Sequence, residues 1–388
     1  MDLVASHIAE LTPSLTLSIT AEAKRLAGEG VDICGLAGGE PDRDTPQHIK
    51  DAAIKALVDG ETRYTASSGL PALREAISEK LRDDNGLRYD VSQISVNCGA
   101  KHSCMNAILA VCEPGDEVII PSPYWVSYPE MVRIAGGVPV IVETRQENNW
   151  KLTADEFEDA MSPKTKMVIL NSPSNPTGAV YSEDELRAIG EVATSEEIMI
   201  LSDEIYEKLI YDGAKHISIA SLSDDLYNLT ITVNGFSKAY AMTGWRLGYT
   251  AAPESVAQAM ATIQSHMTSN ATTFAQYGGI AALTGDQSHI SDMREEYEVR
   301  RNFVYGRLSQ INNISTIQPF GAFYFLVNVG KTGLNSVNLA EKLLSRYQVA
   351  VIPGAAFGRD DTVRISHSVG LDVLNEGLNR FEDFCQSH

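Results

Sequence analysis

Short apolar runs rich in β-branched residues recur through the middle of the chain, and each ends in a turn that precedes a helical pattern. The clearest examples lie at 116–125, 165–178, 197–209 and 229–240. Apolar strands that alternate with helices are typical of a parallel sheet whose strands are buried on both faces. The sequence therefore predicts an α/β fold with a mostly parallel central sheet and helices on both faces.

Helix starts and a long charged helix complete this pattern. Ser182 with Glu185, and Thr153 with Glu156, have the capping-box spacing that marks a helix N-terminus. A charged segment from Ser291 onward predicts an amphipathic connecting helix. The strand-like segments GAFYFLVNV, VAVIPGAAFG and TVRISHS follow it, and they predict a smaller α+β domain.

The chain is strongly acidic, with 31 Lys and Arg against 51 Asp and Glu among its 388 residues and a formal net charge of −20. Nucleic acids and anionic membranes are bound by clustered cationic side chains. The sequence has no basic run, so neither partner is expected. An anionic ligand would have to be held by a few cations, and arginines inside motifs are therefore informative.

Cysteine usage and the N-terminal sequence predict a cytoplasmic protein. The five cysteines form no CxxC pair, which fits a reducing compartment, no metal site and small buried apolar side chains. The N-terminal segment has no cationic stretch followed by an apolar run, and no part of the chain reaches the apolar length of a membrane span.

A lysine and an arginine follow a predicted strand end, where ligands bind in open sheets of this kind. Lys238 follows LTITVNGFS, and Arg246 comes eight residues later. A lysine that forms a Schiff base with a carbonyl cofactor needs partial desolvation and a neighbouring cation. Arg246 could supply that charge while it binds a phosphate. A lone lysine would otherwise be a surface residue.

An aspartate, a tyrosine and an asparagine fit the ring of a pyridoxal cofactor. Asp203 closes the apolar run EIMILS and could keep the ring nitrogen protonated, so that the ring accepts electrons; the alternative is a helix N-cap. Tyr206 would lie on the same side of the turn and could contact the phenolic oxygen. Asn175 could reach the same oxygen, or it could form an ordinary Asn-Pro turn.

Three further motifs fit an anionic, aromatic cofactor and an amino-acid substrate. The Gly99–Lys101 segment begins a predicted helix, whose backbone N–H groups could bind a phosphate together with Ser237. Trp125 could stack on the cofactor ring or pack in the core. Arg364 could bind a carboxylate with its guanidinium fork, or it could lie on the surface of an edge strand.

These motifs resemble those of fold-type I pyridoxal-5′-phosphate (PLP) enzymes, in particular class I aminotransferases of the bacterial aspartate aminotransferase subgroup. The resemblance runs from about Leu11 to about Phe384, and its most specific part is GFSK with MTGWRLGY, NPTG and SDEIY. It implies the PLP-dependent transferase fold, with a large PLP-binding domain at 46–288. Residues 1–45, including an N-terminal arm, would join 289–388 in the small domain.

The resemblance also implies a role for each candidate residue. Lys238 would form the imine with PLP, and Asp203 would contact the pyridine nitrogen. The remaining cofactor contacts would come from Gly99, Ala100, Lys101, Trp125, Asn175, Tyr206, Ser237 and Arg246. The substrate would contact Gly39, Trp125, Asn175, Arg364, Lys101 and Thr16. Tyr64 would reach the phosphate of the partner subunit, in a homodimer with shared active sites.

The implied reaction transfers an amino group from L-aspartate, or a related amino acid, to 2-oxoglutarate by a ping-pong mechanism through an aldimine with Lys238. The freed lysine would carry the Cα proton to the cofactor. Lys101, with Ser14 and Thr16, would bind the second carboxylate. Arg43 stands where the family usually has an aromatic residue; it would either shift acidic specificity or be a solvated surface charge.

Three other functions stay open at this point. An aromatic or prephenate aminotransferase would use the same machinery with a different side-chain pocket. A PLP carbon–sulfur β-lyase of the same fold would use the same lysine to eliminate a Cβ substituent. A PLP-binding regulatory module without turnover is disfavoured, since the chain has no basic helix of the kind that binds DNA.

Overall fold

The computed structural model describes residues 4–9 and 11–387. The strands, in chain order, are β1 Cys34–Gly35, β2 Ile94–Asn97, β3 Glu117–Ser122, β4 Val138–Glu143, β5 Thr165–Asn171, β6 Met199–Asp203, β7 Thr230–Gly235, β8 Gly248–Ala251, β9 Ser315–Thr316, β10 Tyr324–Asn328, β11 Val349–Ala350, β12 Ile352–Pro353 and β13 Thr362–Ser366. The α-helices are α1 Ser6–Ala9, α2 Leu15–Gly28, α3 Gln47–Val58, α4 Pro71–Asn85, α5 Ala100–Val111, α6 Ser127–Ile134, α7 Ala154–Ala160, α8 Glu183–Ser195, α9 Asp224–Leu229, α10 Glu254–Met267, α11 Thr273–Thr284, α12 Ser288–Leu308, α13 Ser336–Tyr347 and α14 Leu371–Gln386.

A seven-stranded sheet in the order β2–β8–β7–β6–β5–β3–β4 forms the centre of the larger part of the molecule. Strand β8 is antiparallel to both of its neighbours, and the other pairs are parallel. The prediction of a mostly parallel α/β sheet is confirmed. The reversed strand β8 was not predicted, because its short apolar sequence carries no signal of direction.

Both faces of this sheet are covered, as predicted. Side chains alternate along β5, so that Met167 and Ile169 join an apolar cluster with α5 and α6. Val168 and Leu170 point to the opposite face and pack against α7 and α8. Apolar residues at successive positions are therefore buried on opposite sides, which explains why the strands are nearly continuous apolar runs.

A second core joins the two ends of the chain. Strands β12, β13, β10 and β9 form an antiparallel sheet, while β1 pairs in parallel with β11. Cys34 and Leu36 share one buried cluster with Phe325, Val363 and Phe381. The early segment and the last helix thus bury their apolar side chains against each other. The domain boundaries at 45/46 and 288/289 stay a prediction.

Local signals for helix starts are largely confirmed. Ser182 accepts a hydrogen bond from the N–H of Glu185, and the side chain of Glu185 accepts one in return. Thr153 begins its helix in the same way. The charged helix α12 begins at Ser288, slightly before the predicted position. The segment after Asp203 forms a turn rather than a helix, so the N-cap alternative for Asp203 is wrong.

The five cysteines are unpaired thiols, and four of them are buried as predicted. Cys98 is only half-buried. Among residues 4–9 and 11–387, no helix is long and apolar enough to cross a membrane.

We expect Phe381→Ala to lower the free energy of unfolding by about 3–5 kcal/mol, because it leaves a cavity in the core that joins the chain ends. Phe381 on α14 is fully buried. The matched control is Val373→Ala on the same helix, where the side chain is 39% exposed. Urea denaturation followed by circular dichroism should show a change of at most about 0.5 kcal/mol for the control. Equal losses in the two variants would contradict this account of the core.

Candidate active site

A cleft of about 440 Å³ opens at the carboxyl ends of the parallel strands, where β5, β6 and β7 end. The start of α5, the first turns of α2 and strands β10 and β13 complete its walls. The predicted residues that line the cleft are Ser14, Thr16, Gly39, Ala100, Lys101, Trp125, Asn175, Asp203, Tyr206, Ser237, Lys238, Arg246 and Arg364. Two predicted residues lie elsewhere: Gly99 stands directly behind Arg246, and Tyr64 is 87% exposed, away from the cleft of its own chain.

Lys238 presents its amine to the cleft from the turn after β7. Its Nζ donates a hydrogen bond to the carbonyl oxygen of Gly39, and it lies 5.5 Å from the ring centre of Tyr206. Burial, followed by the charge of Arg364, lowers the pKa of Lys238 to about 8. About a tenth of this amine is therefore neutral at pH 7, far more than for an ordinary lysine with a pKa of about 10.4, and a nucleophilic lysine reacts in that neutral form.

Asp203 is a buried carboxylate at the end of β6, with 3% of its surface exposed. The hydroxyl of Tyr128 donates to its Oδ2 over 2.7 Å, and the N–H of Ile205 donates to its Oδ1 over 3.3 Å. Burial raises the pKa of Asp203 to about 6, while the Tyr128 hydrogen bond opposes that rise. A cationic ring nitrogen beside Asp203 would favour the ionised form further.

Arg364 is held in a central strand, not at an edge, and is only 4% exposed. The alternative of a surface arginine is therefore wrong. Its Nη1 donates to Asn175 Oδ1 over 2.9 Å, and its Nη2 donates to the Ala37 carbonyl oxygen over 3.1 Å. Its guanidinium carbon lies 4.3 Å from the ring centre of Tyr324. Both hydrogen-bond acceptors are neutral, so neither compensates the positive charge of the buried guanidinium. Arg364 can therefore bind an anionic ligand.

A second cationic pocket forms where α5 begins. A Cβ on Gly99 would lie 2.5 Å from Nη2 of Arg246, and a Cβ on Gly248 would lie 2.4 Å from the N of Ala100. Glycine at both positions lets the guanidinium approach the helix start, where free N–H groups favour an anion. Ser237 is buried beside them, so the pocket suits a phosphate group.

Lys101, Ser14 and Thr16 line the cleft together, as predicted for side-chain recognition. Lys101 Nζ lies 5.0 Å from the ring centre of Trp125, and the Ser14 and Thr16 hydroxyls are hydrogen-bonded over 2.8 Å. Burial, followed by the charge of Arg246, lowers the pKa of Lys101. The three polar groups can therefore meet a second anionic group on a ligand.

Arg43 forms an ion pair with Glu296 on α12, and 36% of its side chain is exposed. It does not line the cleft. The structure thus supports the interpretation of Arg43 as a surface charge, although a paired one. Sequence patterns could not show this, because the partner lies more than 250 residues away.

Among the cleft residues that were not predicted from the sequence, three make side-chain hydrogen bonds to predicted site residues. Tyr128 hydrogen-bonds Asp203; its spacing of three residues from Trp125 was the available signal. The hydroxyl of Tyr324 lies 2.9 Å from that of Tyr206. Asn171 donates to the backbone carbonyl of Asp203 and accepts from the N–H of Asn175, so it ties two strand ends together.

Comparison with known proteins agrees with this geometry. Residues 31–381 match the family described as aminotransferase class I and II. An aspartate aminotransferase of Geobacillus stearothermophilus is 48% identical over 99% of both chains. A probable aspartate/prephenate aminotransferase of Aquifex aeolicus is 46% identical over 98% of both. The structure of the Thermus thermophilus aspartate aminotransferase with maleate superposes with a TM-score of 0.95 and 41% identity, covering 99% of this chain and 100% of that one.

We expect the Lys238 amine of cofactor-free protein to react with trinitrobenzenesulfonate along a pH profile centred near 8, because only the neutral amine reacts. An exposed lysine would show a midpoint near its ordinary value of about 10.4. Peptide mapping by mass spectrometry at a series of pH values measures each site. Arg364→Gln should move the Lys238 midpoint upward, since it removes a cation that disfavours the charged amine. A Lys238 midpoint equal to that of exposed lysines would contradict this picture.

Proposed function

Because the chain belongs to the class I and II aminotransferase family, we propose that it transfers the amino group of L-aspartate to 2-oxoglutarate with PLP as cofactor. One observation carries the proposal. A single cleft brings together an amine with a lowered pKa, a buried carboxylate and two separate arginines. One arginine suits a phosphate, and the other suits a substrate carboxylate.

The residues of the cleft fit PLP. The phosphate would be held by Arg246, Ser237 and the first N–H groups of α5, where Gly99 and Gly248 leave room for close approach. Asp203 would pair with the ring nitrogen, and Trp125 would stack on the ring. Tyr206 and Asn175 would bind the phenolic oxygen, and Lys238 would hold the aldehyde carbon.

PLP, when bound, would supply an aldehyde that reacts with amines and a ring that acts as an electron sink when the Cα–H bond breaks. Arg364 and Asn175 would orient the substrate through its carboxylate. Lys238 Nζ would then take the Cα proton and carry it to the cofactor on the same side. Because Arg364 lowers the pKa of Lys238, a carboxylate bound to Arg364 would offset that effect and make the lysine a stronger base.

A dicarboxylate substrate is favoured because Lys101 lines the same cleft as Arg364 and offers a second cation. Arg364 would take the α-carboxylate, and Lys101 with Ser14 and Thr16 would take the distal one. The Thermus relative is described with maleate, which is a dicarboxylate. Prephenate is the second candidate, since the Aquifex relative carries both substrates in its name and the apolar side chains of Leu17 and Val126 also line the cleft.

We also propose that the protein is a cytoplasmic homodimer with shared active sites. The exposure of Tyr64 supports the dimer, because Tyr64 is 87% exposed and close in sequence to the exposed apolar residues Ile54, Leu57 and Val58. An exposed apolar surface of this kind suits an interface. Tyr64 would cross this interface to the phosphate of the cofactor in the partner subunit.

The large domain would span 46–288, and the small domain would comprise 1–45 and 289–388.

The substrate assignment is tested by a survey of half-reactions. The yellow, PLP-loaded protein is mixed with each amino acid, and the change of its absorbance to that of pyridoxamine phosphate is followed. Aspartate and glutamate should convert it, and Lys238→Ala should not. Conversion by aromatic donors alone would contradict the aspartate assignment. Formation of pyruvate from cystathionine would instead identify a carbon–sulfur β-lyase.

Two arginines provide a matched pair of variants for substrate binding. Arg364→Gln should raise the KM for aspartate by about 100-fold or more, because it removes a buried bidentate partner of the carboxylate. Arg43→Gln should leave that KM within about twofold, since Arg43 does not line the cleft. Loss of its exposed ion pair with Glu296 should also change the stability of the protein little. Steady-state kinetics with both substrates measure the effects. A large change in KM for Arg43→Gln would mean that Arg43 contributes to specificity.

A further inference from the structure

The carboxylate of Asp203 receives its shortest hydrogen bond from the buried side chain of Tyr128. Tyr128 is 2% exposed and Asp203 is 3% exposed. The Tyr128 hydroxyl lies 2.7 Å from Asp203 Oδ2, whereas the Cys104 thiol lies 3.9 Å from the same oxygen. The bond to Oδ1 from the Ile205 N–H is longer, at 3.3 Å. Oδ2 is therefore fixed by the protein, and the carboxylate has a defined orientation.

We infer that Tyr128 is a positioning residue for the proposed reaction: it keeps Asp203 ionised and oriented, so that the ring nitrogen of the cofactor holds its proton. The inference rests on the proposed function. It adds a hydrogen-bond donor that acts on the reaction through Asp203.

The position of Tyr128 follows from the turn that carries Trp125. The N–H of Tyr128 donates to the Trp125 carbonyl oxygen over 3.0 Å. The two rings meet edge to face, with centres 5.2 Å apart and planes at 83°. One turn of the chain therefore sets both the stacking surface for the cofactor ring and the donor to the carboxylate that faces the ring nitrogen. Movement of this turn would change both contacts together.

The charges around Asp203 explain why a donor is needed. Burial and, less strongly, the charge of Glu204 favour the neutral acid. The hydrogen bond from Tyr128 is the largest effect that favours the ionised form, followed by the Ile205 N–H and the charge of Lys238. Burial raises the pKa of both Tyr128 and Cys104, and Asp203 adds to that rise. Both groups thus stay protonated and act as donors to the carboxylate. Tyr128 is the shorter and stronger donor of the two.

The direct test compares Tyr128→Phe with the wild-type protein, both loaded with PLP that is labelled with ¹⁵N in its ring. The ¹⁵N chemical shift reports whether the ring nitrogen carries the proton. Without the hydroxyl, the proton should move toward Asp203, and the shift should change toward that of neutral pyridine. In cofactor-free protein labelled with ¹³C in its aspartates, the pKa of Asp203 should rise from about 6 by about one unit.

Kinetics should separate this role from substrate binding. For Tyr128→Phe we expect kcat to fall by about tenfold and the KM for aspartate to stay within about twofold. Tyr181→Phe is the matched control, because Tyr181 is also buried and its hydroxyl accepts a hydrogen bond from the N–H of Leu152 over 2.8 Å. That variant also loses a buried, hydrogen-bonded hydroxyl, but one that makes no bond to Asp203, so the ¹⁵N shift and kcat should not change.

A second variant covers the case in which Tyr128→Phe folds poorly. Fluorotyrosine at position 128 keeps the shape and makes the hydroxyl a stronger donor, so the Asp203 pKa should fall below the wild-type value. An unchanged ¹⁵N shift in Tyr128→Phe, or an unchanged Asp203 pKa in the fluorotyrosine protein, overturns the inference. If wild-type protein binds PLP and transaminates, such a result leaves the proposed function standing. Failure of the wild-type protein to bind PLP would instead contradict the proposed function itself.

Discussion

The chemistry of the cleft depends on one half-buried lysine amine whose charge is disfavoured by its surroundings. Lys238 sits in a turn between buried strands, with guanidinium groups nearby and only partial compensation from Glu40 and Asp203. Desolvation and like charge both favour the neutral amine. These surroundings destabilise the charged form of a lysine. Groups whose pKa is shifted in this way are concentrated at functional sites, and Lys238 accordingly lies in the ligand cleft.

The cleft concentrates positive charge in a protein with a formal net charge of −20. Lys101, Lys238, Arg246 and Arg364 all line it, and the hydrogen bonds of Arg364 go to neutral oxygens. A local cationic cleft can attract small anions even in an acidic protein. The acidic composition and the anionic ligands of the proposed reaction are therefore compatible.

Much of the fold and of the site could be predicted because the signals are local. Capping boxes at Ser182 and Thr153 act within one helical turn, and apolar runs bounded by turn residues mark strands buried on both faces. Lys238 and Asp203 follow such runs directly. Since the carboxyl ends of parallel strands meet at one edge of the sheet, residues at those ends could be expected in one cleft before any contact was known.

Contacts between distant segments were decided only by the tertiary structure. The reversal of β8, the pairing of Arg43 with Glu296 and the hydrogen bond from Tyr128 to Asp203 depend on surfaces that the whole fold brings together. Burial, which sets the pKa values of Lys238 and Asp203, is likewise a property of the packed molecule. The sequence by itself determined which reactive groups the chain carries and which strand ends present them. The packed structure determined how those groups are charged, because desolvation and distance act through space and not along the chain.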